Sequence, residues 1–365
     1  MADLFEYLEW RGDLTLGCSP FNEVDAMIIS RLSYLPFESI IEKNTALGAS
    51  VAEACAKMRA LPDIKSRLLL EDDAKLLFAM TESMRFGSMK IFGYINRVDD
   101  STQTQFSAIT VGLGDGRYYI CFRGTDNTLT GWKEDFNMCF VYPVPAQKLA
   151  LRYLSDMAAR LDGRLIVGGH SKGGNLAVYA SSFCSEEIRS RIDVIYNFDG
   201  PGFDDKVLHS AEFTSMAEKI KTFVPQSSVV GMLFGHEEDY IAVHSTQTNM
   251  LWQHDTYSWE VSKYGFIRLE DVDSGSRIID YTLKEWLSKM SYAQREKFVD
   301  AIFEILSETN IKTFKEMGSN KLMSAKALLK SATNLEPSTR KAVIKALTLL
   351  AGSAKNGISH VMQKK

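Results

Sequence analysis

What the 365-residue chain lacks narrows its chemistry first. It has five cysteines, at 18, 55, 121, 139 and 184, and no two of them form a CxxC pair. Scattered and odd in number, they point to reduced thiols in a cytosolic protein and against a disulfide framework or a zinc site. No uninterrupted apolar run approaches the length of a membrane span. The first residues, Met1-Ala-Asp-Leu-Phe-Glu, are acidic and have no long apolar core, so no signal peptide is expected. There is no G-x-x-x-x-G-K-[ST] loop, no H-E-x-x-H and no clear dinucleotide fingerprint, and metal-ligand spacing is absent. Neither a cofactor nor a metal is therefore expected. A net charge of −4 gives no reason to expect nucleic acid as a partner. The hydrophobic fraction of 45% and charged fraction of 24% are those of an ordinary soluble globular protein.

What is present falls into three segments. Residues 1–85 read as helical. Asn22-Glu-Val-Asp-Ala-Met-Ile-Ile-Ser-Arg-Leu-Ser-Tyr-Leu spaces its apolar residues three and four apart, with Asn22 as a candidate cap and Pro36 as a stop. Val51–Arg59 and Asp72–Met84 repeat that spacing. Asp25 and Tyr34 are candidates for function there, read in preference as core or solvated face, and the segment is read as a scaffold or lid. Residues 86–275 change period. Lys90–Asn96, Phe106–Leu113 and Tyr118–Arg123 read as successive strands, with Gly114-Asp-Gly as a turn. A helix follows over Ala146–Leu161, then strands around Leu165–Val167, Val194–Phe198 and Ile220–Val224. This alternation implies an α/β fold: a mostly parallel sheet, helices on both faces, and function at the carboxyl ends of the strands. Residues 276–365 read as a helical appendage, basic after 311.

The most informative stretch is Arg164-Leu-Ile-Val-Gly-Gly-His-Ser-Lys-Gly-Gly-Asn-Leu-Ala-Val-Tyr179. A short apolar run ends in glycines around Ser171, and a helical pattern begins at once. Gly169-His-Ser-Lys-Gly173 fits the nucleophile elbow, in which a serine sits on a strained strand-to-helix turn. Side chains at 169 and 173 would collide with the neighbouring strand and helix. The competing readings are a glycine-rich turn without chemistry and a phosphate cradle. Upstream, Cys121-Phe-Arg-Gly-Thr-Asp ends a strand, and Trp132 and Asp135 follow. The loop after this earlier strand is where a hydrolase sheet supplies one oxyanion donor, here Thr125 through its backbone N–H, its hydroxyl or both; the other is the backbone N–H of Lys172. The alternative is an ordinary strand-end turn with Arg123 paired to Asp135.

Phe122-Arg-Gly-Thr125, Trp132 with Asp135, and Gly169-His-Ser-Lys-Gly-Gly-Asn-Leu-Ala177 resemble the core motifs of the class 3 lipases of the α/β-hydrolase superfamily. Lys172 after the serine, Asn197-Phe-Asp-Gly-Pro-Gly-Phe203, Pro225-Gln-Ser-Ser-Val-Val-Gly-Met232 and Gln253-His-Asp255 resemble one bacterial version of it, the Mbeg1-like proteins. The resemblance covers roughly residues 85 to 260. It implies an α/β-hydrolase fold and hydrolysis of esters, small or lipid-like.

A serine nucleophile needs a base and an acid. The histidines downstream of Ser171 are His209, His236, His244, His254 and His360. His254 stands in a polar, loop-like stretch after the strand-like Tyr240–Ser245, where a triad base belongs; His236 is the rival in a flexible acidic turn. His170 is assigned to packing. Asp199, at the end of the strand after the nucleophile helix, is the chosen acid, with Asp239 second. Class 3 lipases usually place the acid one strand later, and Phe223-Val-Pro-Gln-Ser-Ser228 has no carboxylate there. That absence keeps open a non-catalytic protein that binds ligands or partners on a hydrolase fold. Residues 312–365 hold eleven Lys and Arg against two Glu, leaving −13 on the first 311 residues. Ala325–Lys330 and Arg340–Leu350 read as basic amphipathic helices, fit for an anionic membrane surface or an acidic partner, or as a plain solvated face.

Overall fold

The computed structural model describes residues 2–41, 48–126, 128–236, 239–308 and 335–363. The apolar runs of the sequence become neighbours in one sheet, ordered as in the chain: β1 (Ala49–Ser50), β2 (Lys90–Asp99), β3 (Thr104–Gly112), β4 (Arg117–Phe122), β5 (Arg164–His170), β6 (Ile192–Phe198), β7 (Ile220–Pro225) and β8 (Tyr240–Val243). The pairs β1–β2 and β3–β4 are antiparallel, and every pair from β4 to β8 is parallel. Strands covered on both faces read as near-continuous apolar runs, as β5 and β6 do. Register brings the carboxyl ends level. Phe122 lies opposite Gly169, His170 opposite Phe198, and Phe198 opposite Phe223.

Alternate residues of each strand feed different cores. Ile166 and Phe198 pack with Val24, Met27, Ile28 and Leu77 from the N-terminal helices α1 (Leu4–Arg11), α2 (Glu23–Leu32), α3 (Val51–Arg59) and α4 (Glu71–Thr81). Leu165 and Val167 pack on the other side with Leu154, Leu176 and Ala180. The expected cap is present: the Asn22 side chain accepts from the amides of Val24 and Asp25, and Asp25 returns a bond to the Asn22 amide. The two-residue strand β1 lies inside a segment read as wholly helical. Its brevity leaves no period to detect.

The chain divides into two compact units that are not consecutive segments. The first comprises Met1–Arg97, Phe106–Gly124 and Ala146–Asp273. It includes the N-terminal helices, the nucleophile strand and its helix, and a small hairpin of β9 (Val261–Ser262) and β10 (Gly265–Phe266). The second comprises Val98–Gln105, Thr125–Pro145 and Ser274–Lys365. The C-terminal appendage is thus one unit with two excursions from the middle of the sequence. Its helices are α5 (Leu129–Asn137), α8 (Ser274–Ser288), α9 (Tyr292–Glu308) and α10 (Pro337–Gln363), while α6 (Pro145–Ala158) and α7 (Lys172–Phe183) cover the sheet. Lys133 pairs with Asp300 at 3.0 Å, Phe136 meets Phe303 edge-on, and the Trp286 indole donates to the Ala346 carbonyl at 2.8 Å. These contacts join α5 to α9 and α8 to α10. The basic stretch Ala325–Lys330 lies outside the described residues. Among the described residues no helix is long and apolar enough to cross a membrane.

Candidate active site

Ser171 joins β5 directly to α7 with φ of 59° and ψ of −135°. A non-glycine residue with positive φ is uncommon and strained, and such strain collects at functional turns. The glycines around it follow from packing. A Cβ on Gly173 would sit 2.1 Å from the Phe122 carbonyl oxygen, and one on Gly169 2.4 Å from the Phe122 carbonyl oxygen. The end of β4 therefore presses on the turn that presents the serine. The Ser171 amide donates to the Phe198 carbonyl at 2.8 Å, fixing the elbow to the next strand.

Asp199 follows Phe198 immediately, also with positive φ (51°). Its amide donates to the Phe223 carbonyl at 2.8 Å. The turn beyond it is pinned from both sides: the Gly200 amide donates to Asn197 Oδ1 at 3.0 Å, and Asn175 donates to the carbonyls of Pro201 and Gly202. The Asp199 side chain is fully buried. Its Oδ2 is 2.6 Å from His254 Nδ1; its Oδ1 accepts from the Ser228 hydroxyl at 2.5 Å and from the Gly231 amide at 3.1 Å. Burial demands such partners for a carboxylate. Ser228 lies just beyond β7 and hydrogen-bonds the carboxylate that stands at the end of the neighbouring strand β6.

His254 ends a short 3-10 turn, Trp252–His254. Its ring centroid lies 4.5 Å from that of His170, the residue before Ser171. With Nδ1 turned to Asp199, Nε2 is the nitrogen left to act as base. The other histidines are engaged elsewhere. His236 Nε2 lies 2.7 Å from the Gly231 carbonyl, His209 Nδ1 lies 2.7 Å from the Asp205 carbonyl, His244 faces Glu260, and His360 stacks on Tyr281. Asp239, the second choice of acid, is exposed.

Lys172 opens α7, which places its amide at the positive end of that helix. Its side chain is buried, which the sequence did not signal. Thr125 belongs to the second unit, where its hydroxyl donates to the Asp135 carboxylate. Asp135 thus takes the threonine hydroxyl, while Arg123 donates to Asn96 at 3.2 Å. Among the described residues no group of three or more His, Cys, Asp or Glu side chains is placed to hold a metal ion.

Sequence reasoning passed over Arg31 and Asp73, and weighed Tyr34 only as a core or solvated-face residue against an unspecified function. Tyr34 is 2.8 Å from His170 Nδ1 through its hydroxyl, Arg31 lies under Tyr34, and Asp73 holds Arg31. Their spacing is that of core helix residues, so nothing local marked them.

A serine raised on a left-handed turn between a central parallel strand and its helix, in a sheet clothed by helices on both faces, defines an α/β-hydrolase fold. A model of the Mbeg1-like family matches residues 80–304, more than half of the chain, and the chain belongs to that family. No curated protein matches it. Among solved structures it is similar to an M37 lipase, with 13% identity and a TM-score of 0.35 over 57% of this chain and 68% of that one. It is similar also to the Rhizomucor miehei lipase propeptide complex, with 17% identity and a TM-score of 0.34 over 61% and 80% of the two chains. A triacylglycerol lipase from Penicillium expansum follows, with 12% identity and a TM-score of 0.32 over 52% and 75%.

Proposed function

We propose that the protein is a serine hydrolase that cleaves carboxylic esters through an acyl-enzyme. The observation that carries this reading is the 2.6 Å hydrogen bond between Asp199 and His254, formed beside a serine held at positive φ. His254 Nε2 takes the Ser171 proton as the oxygen attacks the ester carbonyl. Asp199 holds the ring with Nδ1–H inward and stabilises the imidazolium. The Lys172 amide, at the helix end, receives the developing oxyanion. His254 then protonates the departing alcohol, and water, deprotonated by His254, releases the acid. The Thr125 hydroxyl donates to Asp135, which bears on that group and not on the Thr125 backbone N–H, so the Lys172 amide is the oxyanion donor assigned here. The substrate is a small or lipid-like ester. The argument for an inert scaffold was a missing carboxylate near Ser228; in support of the hydrolase reading, Asp199 is bonded to His254 and also accepts from the Ser228 hydroxyl.

A fluorophosphonate probe and short-chain p-nitrophenyl esters test the reading. Wild type is expected to label and to turn over, and Ser171→Ala to do neither. A folded wild type that neither labels nor hydrolyses any ester would sink it.

We also infer that the C-terminal helix meets an anionic surface. In α10 the buried stripe is Val343, Ala346, Ser353, Gly357 and Val361, while Ile344, Leu347, Ile358 and Met362 are exposed. Lys341, Lys345 and Lys355 are exposed on the same helix. An apolar stripe with lysines beside it suits the boundary of an acidic lipid layer.

A further inference from the structure

The family match begins at residue 80, so α1 to α3 and most of α4 lie ahead of it. One side chain from that leading segment nevertheless reaches the site. Tyr34, just past the end of α2, is buried, and its hydroxyl lies 2.8 Å from His170 Nδ1. The opposite nitrogen, His170 Nε2, lies 2.9 Å from the backbone carbonyl of His254. A carbonyl only accepts, so Nε2 carries the proton and Nδ1 accepts from the tyrosine hydroxyl. Burial, then the neighbouring His254, then Arg31 hold His170 well below its ordinary protonation range, which keeps the ring neutral and this tautomer in place. The two imidazole rings lie 33° from parallel.

Tyr34 is itself fixed. The Arg31 guanidinium lies 4.2 Å from its ring centroid. Arg31 donates to both oxygens of Asp73, from Nε at 2.8 Å and Nη2 at 2.9 Å. Asp73 also accepts from the Tyr257 hydroxyl at 2.9 Å. Tyr257 is three residues beyond His254 in the chain. The loop carrying the base is therefore tied at 257 directly to Asp73 of α4, and at 254 through His170 to Tyr34.

We propose that Tyr34 and His170 are positioning residues for His254, and that the N-terminal helices orient the base through the relay from the Tyr34 hydroxyl to the His170 ring to the His254 carbonyl. The word base rests on the function proposed above. A fixed carbonyl limits how the His254 backbone rocks, and so how squarely its ring meets Asp199 on one side and Ser171 on the other. Misplacement of a catalytic group by a fraction of an ångström costs rate and leaves ground-state binding alone.

Tyr34→Phe removes one oxygen and keeps the ring under Arg31. It is expected to lower kcat by roughly tenfold with KM unchanged. A second readout does not depend on turnover. In protein labelled with 15N-histidine, the low-field Nδ1–H resonance of His254 is identified by its loss in Asp199→Asn, and Tyr34→Phe is expected to shift or broaden it. His170→Gln keeps a donor for the His254 carbonyl and an acceptor for Tyr34, and is expected to retain more activity than His170→Ala. A Tyr34→Phe protein that leaves the His254 resonance unmoved overturns the proposal, whatever its rate. So does one with kcat within about twofold of wild type. Were wild type to hydrolyse no ester at all, the proposed function would fail while the resonance still decided whether Tyr34 orients His254.

Discussion

His170 carries a ring nitrogen on each side of a two-step hydrogen-bonded chain and is buried while doing so. Its pH behaviour follows from that position. Its ordinary value is 6.5, and in the folded chain burial, His254 and Arg31 hold it well below. Between those two values the unfolded chain takes up a proton at residue 170 and the folded chain does not. Stability therefore falls as pH falls below 6.5, with a slope from this group of at most about 1.4 kcal/mol per pH unit. His170→Gln removes the titrating group, so its urea-unfolding free energy is expected to decline less steeply over that window than that of wild type. Parallel declines in the two proteins would exclude the assignment. Tyr34 and His254 face the same ring, and both remain in the variant, so the difference isolates residue 170.

At the scale of elements, the turn from β5 to α7 depends on β4 as much as on its own residues. A methyl group on Gly173 meets the Phe122 carbonyl at 2.1 Å, a backbone atom that cannot rotate away. Gly173→Ala is expected to destabilise the fold by more than about 3 kcal/mol, read as a lowered urea midpoint or loss of soluble protein. A variant with an unchanged midpoint would mean that β4 moves freely there. The elbow was legible in the sequence because its signals are local: a doubly buried strand, glycines two residues either side of the serine, and a helix directly after. The Asn22 cap and the parallel strands were legible on the same grounds. The histidine relay was not. Tyr34 and His170 are 136 residues apart, and Tyr257 and Asp73 are 184 apart. No periodicity reports a partner at such a distance. The Ser228–Asp199 bond likewise joins two strand ends 29 residues apart, so the sequence showed no carboxylate at 228 and gave no sign of the one that lies beside it in space. Thr125 stands after a strand, as an oxyanion donor would, and only folding brings Asp135, ten residues on, to its hydroxyl.

On the scale of the whole molecule, charge is divided unevenly, −13 over the first 311 residues against a total of −4. The lysines of α10 carry part of the compensating excess beside exposed Ile344, Leu347, Ile358 and Met362. The full-length protein is expected to co-sediment with phosphatidylserine-containing vesicles and less with neutral ones, and to come off as salt rises. Each exposed lysine near such a surface contributes about 1 kcal/mol at most, so Lys341→Glu/Lys345→Glu/Lys355→Glu should abolish the binding. Equal sedimentation of wild type and triple variant would remove the idea. These substitutions keep the buried stripe of α10 intact, so they separate surface charge from folding.

Ser171 and Asp199 share one property that bears on the choice between an enzyme and a bare scaffold. Both hold a left-handed backbone at the ends of adjacent strands, where glycine would sit without strain. A side chain at positive φ is strained at either corner, and a glycine would hold the same backbone at lower cost. The strain of both corners falls at the two places where the proposed nucleophile and its carboxylate stand, so Ser171→Gly and Asp199→Gly are each expected to relieve backbone strain while removing activity.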